Sequence, residues 1–311
     1  MKNYNKSEIT FPSCDGVHTI HAEIYAPKTK TAKGIVQLLH GMQDYVARYE
    51  ELADFLTAEG YIFAGHHHLG HGKSAGCDED YGFFADNGGA KLLVDDAYEF
   101  NKILHNEHPT LPVVMMGHSM GSFVARLYVR EYPLSVRGVI IHGTGGPNPV
   151  LPMGKAIAKL IKGIKGARHR SNRIDNLAFG AYNSRFPKQE GKHAWLTREV
   201  NLVAGRDDDP YQNFKFTVSA FIDLFTMLGE CNKREWFSEY PKELPTLIIS
   251  GDADPVGNYG KGPDYVYKQL LIAGCDKVSA KSYEGARHEL FNETNRKEVF
   301  SDLLDWIKKI N

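Results

Sequence analysis

The sequence predicts an α/β fold in which a mostly parallel sheet is flanked by helices and interrupted by a helical insertion. Three observations carry this. Short apolar runs alternate with amphipathic stretches from Ile35 to Ile141; the alternation stops after His142-Gly143 and resumes at Thr246; and Gly117-His118-Ser119-Met120-Gly121 joins the apolar run Val113 to Met116 to a helix-like stretch from Phe123 to Arg130. Repeated strand-helix-strand units build a parallel sheet with helices on both faces. Ligands then bind at the carboxyl ends of its strands.

Each element has its own signal. Ile20, Ala22 and Ile24 alternate with polar residues beyond an Asp15-Gly16 turn, so a hairpin is expected from Ile9 to Tyr25. Ile35 to Leu39 is a short run, apolar but for Gln37, of the kind expected of a strand covered on both faces. Tyr49, Leu52 and Leu56 fall at helical spacing, Gly60 follows as the stop, and Tyr61 to Ala64 is the next strand. Leu93, Ala97, Phe100 and Leu104 mark a second helix that Pro109 closes off. Val139 to Ile141 is a further strand. After the break come a strand from Thr246 to Ser250, a helix around Tyr265 to Leu271 and a strand from Val278 to Tyr283. A closing helix then carries Val299, Phe300, Leu303, Leu304, Ile307 and Ile310 in one stripe. The organisation expected is a core over 1–144, a helical cap over 145–242 and the rest of the core over 243–311.

Composition narrows the function. With 37 Lys+Arg against 38 Asp+Glu the formal charge is −1, which gives no ground for a nucleic-acid partner. The first ten residues have no apolar leader and no stretch approaches the ~18 apolar residues of a membrane span, so a soluble, cytoplasmic protein is expected. Cys14, Cys77, Cys231 and Cys275 have neither metal-ligand nor disulfide-scaffold spacing.

The chemistry starts at Ser119. A serine at the apex of a sharp strand-to-helix turn needs small neighbours so that the helix can pass close to the strand, and Gly117 and Gly121 supply them. Two other strand ends carry partners: Gly251-Asp252-Ala253-Asp254-Pro255-Val256 follows one, and Glu284-Gly285-Ala286-Arg287-His288 the other. A serine hydroxyl is a weak nucleophile, so His288 must take its proton and a carboxylate must hold the imidazole tautomer. Asp254 is the first choice for that carboxylate and Asp252 the second, because Pro255 would fix the turn. An oxyanion hole needs two convergent backbone N–H groups, and Met42 and Met120 stand at the two places that supply them.

These stretches resemble the α/β-hydrolase superfamily and, within it, the monoacylglycerol lipase and lysophospholipase branch, related to the serine aminopeptidase S33 group. The resemblance runs through His40-Gly41-Met42, Arg48-Tyr49-Glu50-Glu51-Leu52-Ala53, Leu69-Gly70-His71-Gly72-Lys73-Ser74, Gly117 to Gly121, Gly251 to Val256 and His288. It implies an α/β-hydrolase fold with a cap inserted before the strand that leads to the catalytic aspartate. It also implies Ser119, Asp254 and His288 as the triad, the Met42 and Met120 amides as oxyanion donors, and no cofactor or metal. The chain departs from the branch at Asp44-Tyr45, where Glu-His is usual, at His67, where Asp is usual, and through most of the cap. The cluster His66, His67, His68 and His71 raises a metal site as an alternative, but no Cys or carboxylate follows at ligand spacing.

The cap bears on the substrate. Ile157, Leu160, Ile161 and Ile164 are expected on one face of a helix with lysines opposite, a pattern that suits transient contact with an anionic membrane surface or packing on the core. Phe216, Phe221, Leu224 and Phe225 are candidates to line an acyl channel. The expected function is a serine carboxylic-ester hydrolase acting on a monoacylglycerol, lysophospholipid or similar acyl ester. The alternatives are a proline-iminopeptidase-like aminopeptidase, with Asp207, Asp208, Asp209 or Asp223 holding the substrate ammonium, an acyltransferase, and a non-catalytic binding protein on the same fold.

Overall fold

The computed structural model describes residues 2–310. Eight strands form one sheet: β1 (Tyr4–Pro12), β2 (Thr19–Pro27), β3 (Gly34–Leu39), β4 (Tyr61–His66), β5 (Val113–His118), β6 (Gly138–His142), β7 (Thr246–Gly251) and β8 (Val278–Tyr283). Their order across the sheet is β1-β2-β4-β3-β5-β6-β7-β8. The hairpin β1-β2 is antiparallel and β2 pairs antiparallel with β4, while all later pairs are parallel. In the hairpin turn Asp15 Oδ1 accepts from the backbone N–H groups of Val17 and His18, at 2.8 and 2.9 Å.

The continuous apolar runs have the predicted cause. Every residue of β3, β4, β5, β6 and β7 is buried, because helices cover both faces. Alternate residues of β5 go to opposite layers: Val113 and Met115 join the side formed by α2 (Gly89–Glu107), α3 (Met120–Glu131) and α9 (Lys261–Ile272), whereas Val114 and Met116 join the side formed by α1 (Glu50–Ala58) and α10 (Arg296–Ile310). In α10 the stripe Val299, Phe300, Leu303, Leu304 and Ile307 is buried, with Ile310 partly so at its end.

Between β6 and β7 the chain forms α4 (Leu151–Lys165), α5 (Asn172–Phe179), α6 (Val200–Ala204), α7 (Val218–Glu230) and α8 (Arg234–Glu239), with no strand among the described residues. Buried Arg126 of α3 ties the two ends of this segment together. Its guanidinium donates to Gly145 O (3.2 Å) and Thr144 Oγ1 (3.4 Å) at the entry, and to Asn232 Oδ1 (3.2 Å) and Cys231 O at the exit. In α4 most of the apolar face points away from the core. Gly154 and Ala158 are its buried residues and Ile161 packs with them, while Ile157, Leu160 and Ile164 are exposed, as are Val150 and Met153. The inward face meets α7 and α5, where a Cβ on Gly154 would make ordinary contacts with Phe225 at 3.5 Å and Leu177 at 3.7 Å. The apolar stripe is left on the outside.

Candidate active site

The elbow after β5 has the predicted geometry. Ser119 takes φ 54° and ψ −120°, a conformation that L-residues rarely adopt, and its N–H donates to His142 O at 2.9 Å. The glycines beside it are there for close approach. A Cβ at Gly117 would lie 2.3 Å from Gly121 O, and one at Gly121 would lie 2.0 Å from Leu39 O. Strand and helix therefore pack backbone to backbone, and Ser119 projects at the carboxyl end of the sheet.

The loop after β7 places Asp254, fully buried, with Oδ2 2.9 Å from His288 Nδ1. Its other oxygen accepts from Val256 N at 2.8 Å, so the Pro255 turn holds the carboxylate against the ring. Asp252 is exposed and receives Gly285 N at 2.7 Å instead, which removes it from the choice. His288 is 2 % exposed, and its Nδ1 is engaged by Asp254, which leaves Nε2 as its other ring nitrogen. Ser119, Met42, Met120 and His288 all line one cavity of about 690 Å³. Neither the Met42 nor the Met120 N–H has a protein acceptor among the described residues. Two unspent donors thus lie beside the elbow, Met120 at the N-terminus of α3 where the helix dipole also favours negative charge.

Two aromatic groups frame His288. The Trp195 ring lies 5.2 Å from it on the cap side and the His118 ring 4.9 Å from it on the core side. Backbone bonds join the same pieces, with Glu289 N donating to Leu196 O at 2.7 Å. Behind the site is a buried charge network. Arg48 donates to Asp44 Oδ1 (2.7 Å) and Glu289 Oε2 (2.7 Å), and Tyr49 Oη donates to Asp44 Oδ2 (2.6 Å) while lying 2.8 Å from His118 Nδ1. Burial opposes ionisation of Glu289, but the Arg48 guanidinium outweighs it and brings the carboxyl down to about 2. Asp44 is likewise held well below the usual carboxylate range by Arg48 against the pull of burial. Both acids line the cavity as paired carboxylates.

The cap residues divide. Leu224 and Phe225 line the cavity, but Phe216 and Phe221 do not: both are fully buried, Phe216 against His71 and Phe84, Phe221 against Phe179 and Phe225. Those two rings seat the cap on the core and are not available to an acyl chain. The acidic residues considered for an ammonium group are also elsewhere. Asp209 accepts from Tyr45 Oη (2.9 Å), Asp207 from Lys192 (2.7 Å), and Asp223 is buried beside Gly89 at the start of α2; none of these, nor Asp208, lines the cavity. Trp195, Tyr182, Gln43, Arg206 and Glu289 do line it, and motif reading missed them. Only Glu289 had a signal, its place beside His288.

The histidine cluster is a packed, buried group. His40 lies 4.4 Å from His68 and 5.2 Å from His71, ring to ring, and His66 lies 4.8 Å from His68. Among the described residues no three His, Cys, Asp or Glu side chains are arranged to hold a metal ion.

Residues 30–295 match the family model described as Hydrolase_4, serine aminopeptidase, S33. The chain belongs to that family. Within this Hydrolase_4 setting it is 26 % identical to a monoacylglycerol lipase of Mycolicibacterium smegmatis, over 99 % of each chain. It is also 26 % identical to human monoglyceride lipase, over 92 % of this chain and 86 % of that one. Among solved structures, a thermostable carboxyl esterase from Bacillus coagulans superposes with a TM-score of 0.92 at 29 % identity, covering 98 % of both chains. The α/β-hydrolase fold read from the sequence is therefore the fold of this Hydrolase_4 member, and the eight-stranded sheet agrees with it.

Proposed function

We propose that this chain is a serine ester hydrolase for single-chain acyl esters, a monoacylglycerol, lysophospholipid or similar lipid, with Ser119, His288 and Asp254 as triad. The observation that carries this is the joining of the Ser119 elbow and the Asp254-His288 pair to one large cavity whose cap wall is apolar, including Leu177, Leu224, Phe225 and Leu228. A cavity of several hundred Å³ with apolar walls and a few convergent polar groups suits such a ligand. The relatives named for monoacylglycerol lipase and carboxyl esterase activity support the same class.

In this reading Ser119 Oγ attacks the ester carbonyl as His288 Nε2 takes its proton. The Met42 and Met120 N–H groups receive the developing oxyanion. Asp254 stabilises the imidazolium, which then protonates the departing alcohol. Water, with His288 as base, releases the acid from the acyl-serine and restores the free hydroxyl. An aminopeptidase would need a free carboxylate in the cavity to hold an α-ammonium, whereas Asp44 and Glu289 are already paired with two guanidinium groups, Arg48 against both and Arg206 3.7 Å from Glu289.

The test is a series of p-nitrophenyl esters of rising acyl length beside aminoacyl-p-nitroanilides, with Ser119→Ala as the control. A Ser119-dependent optimum at medium or long esters is expected, with anilide rates lower by a factor on the order of 10² or more. Faster turnover of the anilides would replace this reading with the peptidase.

The cap also bears on how a lipid arrives. Val150, Met153, Leu160 and Ile164 form an exposed apolar row on and before α4, Lys159 and Lys165 are exposed on the same helix, and Val150 and Leu151 reach the cavity wall. Such a helix lies in a membrane interface with its apolar residues down and its lysines at the headgroups. The expected result is co-sedimentation with anionic vesicles that falls several-fold in Leu160→Glu/Ile164→Glu, each buried CH₂ contributing about 0.8 kcal/mol. Equal sedimentation of the two proteins would dismiss this docking face. Among the described residues no helix is long and apolar enough to cross a membrane.

A further inference from the structure

The turn that carries Met42 contains a residue in the wrong conformation for its side chain. Gln43 has φ 53°, in the left-handed region where glycine is the usual occupant, and the turn spans Met42 and Gln43. Ser119 shares this kind of conformation, at φ 54°, so both sides of the site carry backbone strain. A strained residue persists only where its surroundings hold it there, and for Gln43 two of the holding bonds come from the cap.

The Gln43 side-chain amide donates to Phe214 O, and the Gln43 carbonyl accepts from Arg206 Nη2 at 3.1 Å. Arg206 is itself buried, donating to Gln212 Oε1 at 2.6 Å and standing 3.7 Å from Glu289, the neighbour of His288. On the core side the same turn is anchored by Asp44, whose carboxylate meets Arg48, Tyr49 and, at 3.4 Å, Gly41 N. Arg48 and Tyr49 belong to the core, so the Asp44 anchor does not depend on the cap, whereas the two Gln43 bonds do.

We infer that Gln43 is a positioning residue through which seating of the cap sets the oxyanion turn. With the cap seated, its two hydrogen bonds hold Gln43 at positive φ, and the turn presents the Met42 N–H to the cavity. With the cap displaced both bonds are lost, the residue relaxes toward the negative φ that a side chain prefers, and the Met42 amide leaves its place. Closure over a bound acyl chain then completes the donor pair, so that chemistry follows occupancy of the cavity. This inference rests on the reading of Met42 as an oxyanion donor.

The experiment compares wild type, Gln43→Ala and Gln43→Gly on the preferred p-nitrophenyl ester, with thermal midpoints recorded for each. It adds the inhibition constant of an alkyl trifluoromethyl ketone, whose adduct with Ser119 places a negative oxygen in the hole. Alanine keeps the strain and removes the side-chain bond; glycine removes both. Gln43→Ala is expected to lower kcat roughly ten- to a hundredfold, less than the 10²–10³ of deleting a donor, and to weaken the ketone in proportion with KM nearly unchanged. Gln43→Gly is expected to recover most of that loss, because glycine adopts the turn without help. Gln43→Ala equal to wild type, glycine as impaired as alanine, or a change confined to KM would each overturn the inference, the last two by showing a direct side-chain role. Loss of Ser119-dependent turnover in the wild type would overturn the ester-hydrolase reading along with it, whereas failure of the variants alone overturns only the coupling.

Discussion

Replacing Ser119 with alanine is expected to lower ester turnover by a factor on the order of 10⁵ or more, with KM and the thermal midpoint close to those of the wild type. The size follows from the proposed mechanism: without Oγ no acyl-enzyme would form, and His288 and Asp254 would have no nucleophile to activate, so groups acting as a unit would fail together. The residual rate over water, on the order of 10³–10⁴, would come from the oxyanion donors and binding alone. Stability should hold because the elbow is shaped by its backbone. Ser119 N donates to His142 O and Ser119 O accepts from Ser122 N at 2.9 Å, and both bonds survive the change. Ester turnover of wild type and variant, beside stoichiometric labelling by a serine-directed phosphonate expected only in the wild type, provides the measurement. A variant retaining a tenth of the activity would remove Ser119 from the mechanism.

A second large effect is expected on stability as the pH falls. Burial holds His40, His68 and His142 well below the ordinary imidazole range, His66 at about 3 and His71 at about 4. Unfolding returns each ring to water, where it takes up a proton near pH 6.5. The unfolded chain therefore binds more protons below that pH, and stability falls as the pH falls. Stability is level above about pH 6.5, and each of these groups withdraws about 1.4 kcal/mol per pH unit below it until its folded value is passed. Three carboxyls, Asp96, Asp175 and Asp223, are raised by burial and act in the opposite sense. Asp96 and Asp223 are raised by burial to about 6, so the folded chain protonates them first and gains stability between about pH 6 and 4. The lowered histidines outnumber the raised acids, so the net effect is a loss of stability as the pH falls below about 6.5. Urea unfolding at pH 8, 7, 6 and 5 checks it: a flat free energy from pH 8 to 7 and a steep fall from 6 to 5 is expected, and a level profile down to pH 5 would show that the rings are not buried as neutral bases.

The residues that signalled their roles were those whose roles are local. A short run dominated by apolar residues is what a strand covered on both faces needs, so β3, β5, β6 and β7 were legible from Ile35, Val113, Val139 and Thr246 onward, although β3 includes the polar Gln37. The elbow was legible because its glycines answer to atoms only a few residues away or on the adjoining strand. The order of Ser119, Asp254 and His288 along the chain, each after a strand, was legible for the same reason, since a parallel sheet brings its strand ends to one edge.

What the sequence by itself determined, then, was the sheet, the elbow and the set of groups available for chemistry. The tertiary structure decided which of them meet. Asp254 and Asp252 sit two residues apart on one loop, and only the position of His288 separates them. Helical and aromatic periodicity says which residues share a face but not what lies opposite, so Ile157, Leu160 and Ile164 could face core or solvent, and Phe216 and Phe221 could line a cavity or fill a seam. The contacts of Gln43 with Arg206 and Phe214 cross more than 160 residues of chain. No local pattern encodes such a pairing, because the energy that holds a side chain there comes from a surface that exists only once the cap has folded against the sheet.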